Sequence, residues 1–304
     1  MIGLLRAELL RLRSRRAIQL MVIGLALLLL FIVGGVFLNS AGEAPSPETI
    51  QQARESLDDL RRQCEQEEIE CGPEVDELQV EDFYDDQRFI LGQDAEAPLM
   101  VYAVFVTIVA FAAGASFLGS EQHHNTVGHL LLWEPRRGRV LLAKAAAAAL
   151  ATAVAGFALL LMLYLGLFLV AATRGVTSAP PGFFLDTLGM IGRVSLLVGG
   201  GAILGLALTS LLRSTAAAVG FGIAYLAALE RFLSFLRPTW RPWMAGDLAA
   251  TVLAGENRLY IPSEGLAEPK LVLIDATRGL LVLGAYVAVL LAIAILEFRR
   301  RDVT

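Results

Sequence analysis

Six stretches of this chain are apolar for long enough to cross a lipid bilayer, and no other feature restricts its fold as strongly. A hydrocarbon layer of about 30 Å takes roughly 20 residues of helix. Only a helix or a closed barrel satisfies every backbone N–H and C=O away from water. The stretches are Ala17–Leu38, Leu99–Leu118, Ala145–Ala172, Asp186–Leu212, Thr215–Phe232 and Ala276–Leu296. With 56% hydrophobic residues and a mean hydropathy of +0.62, the chain falls outside the range of water-soluble domains. The expected fold is an all-α polytopic membrane protein with six transmembrane helices.

The first stretch follows Arg11, Arg13, Arg15 and Arg16, as the apolar part of a signal peptide would. Its 22 apolar residues exceed the roughly 7–15 of such a segment, so it reads as an uncleaved span. The fourth and fifth stretches are separated only by Arg213-Ser214 and should form a tight helical hairpin.

Orientation follows from the basic residues, which collect on the cytoplasmic side. Arg11–Arg16 precede the first span, Arg136–Lys144 lie between the second and third, Arg213 between the fourth and fifth, and Arg299–Arg301 after the sixth. Six spans put all four clusters on one side, with both termini in the cytoplasm. Arg231, Arg237 and Arg241 fall on the other side. The 23 arginines against two lysines point to a GC-rich bacterial genome, and so to a bacterial cytoplasmic membrane.

The net charge of −5 conceals an asymmetry. Residues 39–98 carry 18 acidic side chains and four arginines, a charge of −14, while the remainder carries +9. This first external loop opens at Pro45 and Pro47. It reads as helical over Glu48–Glu70, with Ile50, Ala53, Leu57 and Leu60 at helical spacing, and is broken by Gly72-Pro73. It holds both cysteines, Cys64 and Cys71. On one continuous helix they would stand about 10 Å apart, too far to bridge. A helix that ends early allows a disulfide, and two free thiols are the alternative.

Residues 1–16 read as an amphipathic interfacial helix, with Leu4, Leu5, Leu9 and Leu12 opposite Arg6, Arg13 and Arg16. Residues 233–275 form a second external segment, with Trp240 and Trp243 suited to the membrane interface. Leu248–Ala254 in it is too short to span and reads as an interfacial or re-entrant turn. Residues 297–304 are a cytoplasmic tail.

The segment 119–144, GSEQHHNTVGHLLLWEPRRGRVLLAK, holds all three histidines and a dense basic run. Glu121 to Trp133 can be helical, and Glu134-Pro135 disfavours its continuation. Such a helix and basic turn could insert into a groove on a partner; an unpartnered positive-inside loop reads equally well. The histidines do not form a zinc motif. His129 follows His124 by five residues and His123 by six, where a helical site needs four. No histidine lies in a span, no GxSxG occurs, and no carboxylate pair sits deep in the membrane, so an intramembrane enzyme is disfavoured. GxxxxGK[ST] is absent as well, so ATP hydrolysis by that route would need another subunit. Arg193 is the one charge well inside a span. It faces a cavity or carboxylate, or snorkels to the surface.

Taken in order, the amphipathic start ELLRLRSRR, six spans, the loop EQHHNTVGHLLLWEPRRGRVLLAK and the ending FRRRDV resemble the membrane permease of type-2 ATP-binding-cassette exporters. The loop pattern matches at Glu121, Thr126, Leu130–Leu132, Pro135-Arg136 and Lys144. The resemblance implies a coupling helix that seats in an ATPase subunit, with Glu121, His123, His124, Thr126, His129, Pro135, Arg136 and Lys144 at that interface. It implies ATP and Mg in the partner and no cofactor in this chain. It also implies a second permease copy or paralogue, export of a small molecule, lipid or peptide, and no nucleic-acid partner. A membrane anchor or assembly protein without transport activity is the competing reading.

Overall fold

The computed structural model describes residues 2–66, 78–84, 86–123, 136–261 and 270–300. Six helices in it are long and apolar enough to cross a membrane. They are α2 (Arg16–Asn39), α4 (Glu96–His123), α5 (Arg137–Arg174), α6 (Phe183–Leu212), α7 (Thr215–Leu236) and α9 (Ala276–Arg300). Preceding or between them are α1 (Ile2–Ser14), α3 (Pro47–Gln66) and α8 (Ala245–Ala254). The all-α polytopic class is as the hydropathy requires. Four strands add two small sheets that the apolar pattern does not announce: β1 (Phe89–Ile90) beside β2 (Gly175–Val176), and β3 (Glu256–Ile261) beside β4 (Lys270–Asp275).

The chain divides into two compact units. The first comprises Met1–Leu30, Glu96–Tyr164 and Pro181–Thr304. In it α4 and α6 run parallel. A side chain on Gly114 would overlap the backbone of Ala202, and one on Gly205 the backbone of Phe111, so these two glycines set how close the helices come. Arg213 ends α6 in a left-handed conformation (φ 56°), its N–H donating to Thr209 O. Ser214 Oγ then accepts from Ala217 N at 3.2 Å and starts α7. The two-residue turn closes the hairpin the sequence implies. A π-helical turn at Tyr225–Leu229 interrupts α7.

Glycine 138, at the start of α5, packs against Ile295 and Arg299 near the end of α9, while Gly119 of α4 faces Thr209 and Thr215. These contacts bring Arg136–Arg139, Arg213 and Arg299–Arg300 to one end of the unit, the end that also carries α1. At the other end α8, β3 and β4 share a core with α9, built on Leu248, Val252, Leu259, Ile274 and Leu283. The short apolar helix expected near Leu248–Ala254 is thus α8, three residues longer at its start and joined to a hairpin. Glu256 pairs with Asp275 and Ile261 with Lys270 in antiparallel register.

The second unit comprises Phe31–Ala95 and Leu165–Pro180. Ser46 caps α3, accepting from Thr49 N at 3.2 Å, with Pro47 in the first turn. Ala53 and Leu57 of the predicted apolar stripe are buried, next to a 3₁₀ turn at Val80–Phe83. Ser40 Oγ donates to Arg174 O and accepts from Phe89 N, each at 3.0 Å, which fixes the β1–β2 pair. Arg174 lies 4.1 Å from the Phe37 ring. Cys64, near the end of α3, is disulfide-bonded. Cys71 lies outside the described residues.

Candidate functional site

The second and third spans are both longer than their apolar cores. α4 runs on to His123 and α5 begins at Arg137, so both ends of the segment 119–144 belong to the spans. Glu121 belongs to the last turn of α4, and Lys144 stands two turns inside α5. Lys144 is 1% exposed and Glu121 8%, and their side chains meet each other. Charges that read as loop residues can extend a membrane helix when they neutralise one another.

Lys144 Nζ lies 2.8 Å from Glu121 Oε2 and 2.7 Å from Glu8 Oε2. Glu8, on α1, is fully buried. Arg15 sits in the break between α1 and α2. Its Nη2 is 2.7 Å from Glu121 Oε1, and its Nη1 donates to Phe117 O at 2.7 Å and to Ser120 Oγ. Arg11 pairs with the other oxygen of Glu8 at 3.1 Å. The Phe117 ring lies 4.7 Å from the Arg15 guanidinium and 5.0 Å from Lys144 Nζ. Two carboxylates and two cations balance, with Arg11 half-exposed at the rim. Burial pushes the Arg15 guanidinium down from its ordinary value, while Glu121 and Glu8 oppose the shift. An arginine starts so high that it stays charged throughout.

The arrangement ties α1 and the start of α2 to the end of α4 and the beginning of α5. Those last two helices flank residues 124–135. A buried pair is costly to break from one side, at roughly 3–5 kcal/mol, because the remaining charge has no water. The cluster is therefore a stiff junction with no nucleophile or metal-ligand set of its own.

Of the other interface candidates, His123 ends α4 and Arg136 is exposed immediately before α5. His124, Thr126, His129 and Pro135 lie outside the described residues. The sequence reading missed Glu8 and Arg15. Glu8 could have been found, since it lies four residues from both Leu4 and Leu12, on the apolar stripe of α1. Arg193 lies on α6, half-buried, with its Nε enclosed and without a hydrogen-bond partner.

The six long apolar helices define a multi-pass membrane protein. The chain belongs to the ABC-2 family of transporter proteins, whose sequence profile matches residues 11–303. No curated protein and no solved structure matches it. Family membership makes it a permease subunit of an ATP-binding-cassette transporter, in which an associated subunit binds ATP.

Proposed function

We propose that this chain is the permease of an exporter, moving a small molecule, lipid or peptide out of the cytoplasm or inner leaflet of a bacterial cell. Both termini face the cytoplasm, because the four basic clusters share one end of the first unit and basic residues collect inside. ATP and Mg bind in a separate ATPase, which docks on the connection between α4 and α5. Two permeases, identical or paralogous, pair with two such ATPases.

The observation that carries this reading is the buried cluster of Glu8, Arg15, Glu121 and Lys144. A push delivered to residues 124–135 reaches α1, α2, α4 and α5 together, since the same ion pairs hold all four. Glu121 and Lys144 transmit the push from inside. The exposed Arg136, with His123, His124, Thr126, His129 and Pro135, supplies the contact surface.

Tagged chain purified from native membranes in mild detergent tests the reading. An ATPase subunit co-elutes with the wild type and is depleted with Arg136→Glu or Thr126→Arg. Finding no ATPase, under conditions that retain a control complex, would support the membrane-anchor alternative instead.

A further inference from the structure

Arg193 lies ten residues into α6, about 15 Å from its start. The 30 residues of this helix reach about 45 Å, against roughly 30 Å of hydrocarbon. The guanidinium is thus within reach of one boundary of the apolar layer, at the end away from Lys144. Its Nε is buried with no acceptor, and it has no ion pair among the described residues.

Among the described acids of the same region, Asp186, two turns before Arg193 on α6, forms no ion pair with it, and two others are engaged elsewhere. Asp275 accepts from the N–H groups of Thr277 and Arg278 at 3.1 and 3.3 Å, and Glu256 pairs with Arg258 at 3.1 Å. What the fold does offer is the C-terminal end of α8. A methyl group on Gly255, which ends that helix at φ 90°, would stand 3.3 Å from Arg193 Nη2. A helix terminus supplies about half a charge, so the guanidinium is only partly compensated.

The flank beside Nη1 is open. Gly189, one turn before Arg193, is exposed, and a methyl group there would meet only Nη1, at 3.7 Å. Leu185, Leu188 and Leu196 on the same helix are also exposed, at 76%, 42% and 64%. A partly compensated, fork-shaped cation therefore borders a leucine surface with its Nη1 flank open. We propose that Arg193 binds the phosphate of an anionic phospholipid, whose acyl chains lie along these leucines. The planar guanidinium can donate to two phosphate oxygens at once, and the side chain can extend along the helix to reach the headgroup.

Native mass spectrometry of the full-length chain, released from detergent after addition of phosphatidylglycerol or phosphatidylcholine, tests the site. No ATPase takes part, so its outcome is separate from that of the exporter reading. Wild type should retain phosphatidylglycerol over phosphatidylcholine. Arg193→Gln should weaken that retention roughly tenfold, as expected for loss of a charge-assisted pair of hydrogen bonds. Gly189→Leu should weaken it too, by filling the flank while leaving the charge in place, and it decides the matter should Arg193→Gln fail to fold. Equal retention of the two lipids by wild type would overturn the proposal, as would a preference undiminished in both variants. Competition by inorganic phosphate as effective as that of the lipid would also overturn it.

Discussion

Lys144 and Glu8 stand 136 residues apart in sequence and 2.7 Å apart in the fold, both closed off from solvent. The pair joins the amphipathic N-terminal helix to the third span. Lys144 also serves Glu121, so removing the lysine leaves Glu8 with only the half-exposed Arg11 and Glu121 with Arg15, whereas removing Glu8 leaves Lys144 paired with Glu121.

The asymmetry gives a ranked prediction. Lys144→Met should destabilise the first unit by about 3–5 kcal/mol, the usual cost of breaking a buried ion pair from one side. Glu8→Gln should cost less. Adding Glu8→Gln to Lys144→Met should recover part of the loss, since the two residues share one interaction. Thermal unfolding of the purified chain in detergent reads all three. An additive double variant would mean that the pair contributes no coupling.

The acidic second unit carries a pH signature. The Arg88 side chain, hydrogen-bonded to Asp86 at 2.6 Å through Nη2, holds that carboxyl below its ordinary value. A carboxylate depressed in the folded state stabilises above its unfolded pKa, and the gain is lost as pH falls through the folded value. The contribution should be constant from neutrality down to about pH 4 and vanish below that. The pair is partly solvated, so its size is at most about 1 kcal/mol. The protection factor of the Phe89 amide, next to the pair in β1 and corrected for intrinsic exchange, should fall below pH 4 in wild type. With Asp86→Asn it should be equally low at pH 7 and pH 3; a wild-type pH response that survives the substitution would rule the pair out as its cause.

Cys64 is bonded, and Cys71 is the only other cysteine in the chain. The proposed Cys64–Cys71 bridge closes a short loop of acidic residues at the end of α3. Peptide mapping without reductant should recover the two cysteines in one cross-linked species. Alkylation of both thiols in unreduced protein would exclude the bridge. An intermolecular link between copies would instead appear as a dimer on a non-reducing gel.

Hydropathy made the six spans legible because each apolar run is long. Their ends were not, and the reason is physical. Glu121 and Lys144 look like solvated loop charges in one dimension, and only the fold shows that they neutralise each other beside Glu8 and Arg15. The β3–β4 hairpin was hidden because Glu256–Ile261 buries only Leu259 and Ile261, too short an alternation to announce a strand. Arg193 was visible at once, since a lone charge in an apolar run stands out. Its neighbour Gly255 was not, because close approach of two backbone segments leaves no mark in composition. The apolar spacing Ile50, Ala53, Leu57 was sufficient to place the buried face of α3.

Glu230 near the end of α7 gives the last prediction. Its carboxylate accepts from Gly246 N at 2.8 and 3.1 Å and from Asp247 N at 3.3 Å, the first amides of α8. A carboxylate there satisfies N–H groups that have no partner within the helix and complements the positive end of its dipole. At the other end of the same ten-residue helix stands the Arg193 guanidinium, so charges of the appropriate sign from α7 and α6 bracket α8. Glu230→Ala should leave the spans assembled and loosen α8 by about 1–2 kcal/mol, the usual cost of a lost cap in a partly buried setting. Hydrogen exchange at Gly246 and Asp247 should then rise roughly five- to thirtyfold, the equivalent of that loss, while exchange within α4 stays constant. Glu230→Gln, which keeps an acceptor without the charge, should fall between the two. Unchanged protection at Gly246 in Glu230→Ala would mean that the core of Leu248 and Val252 alone holds the helix in place.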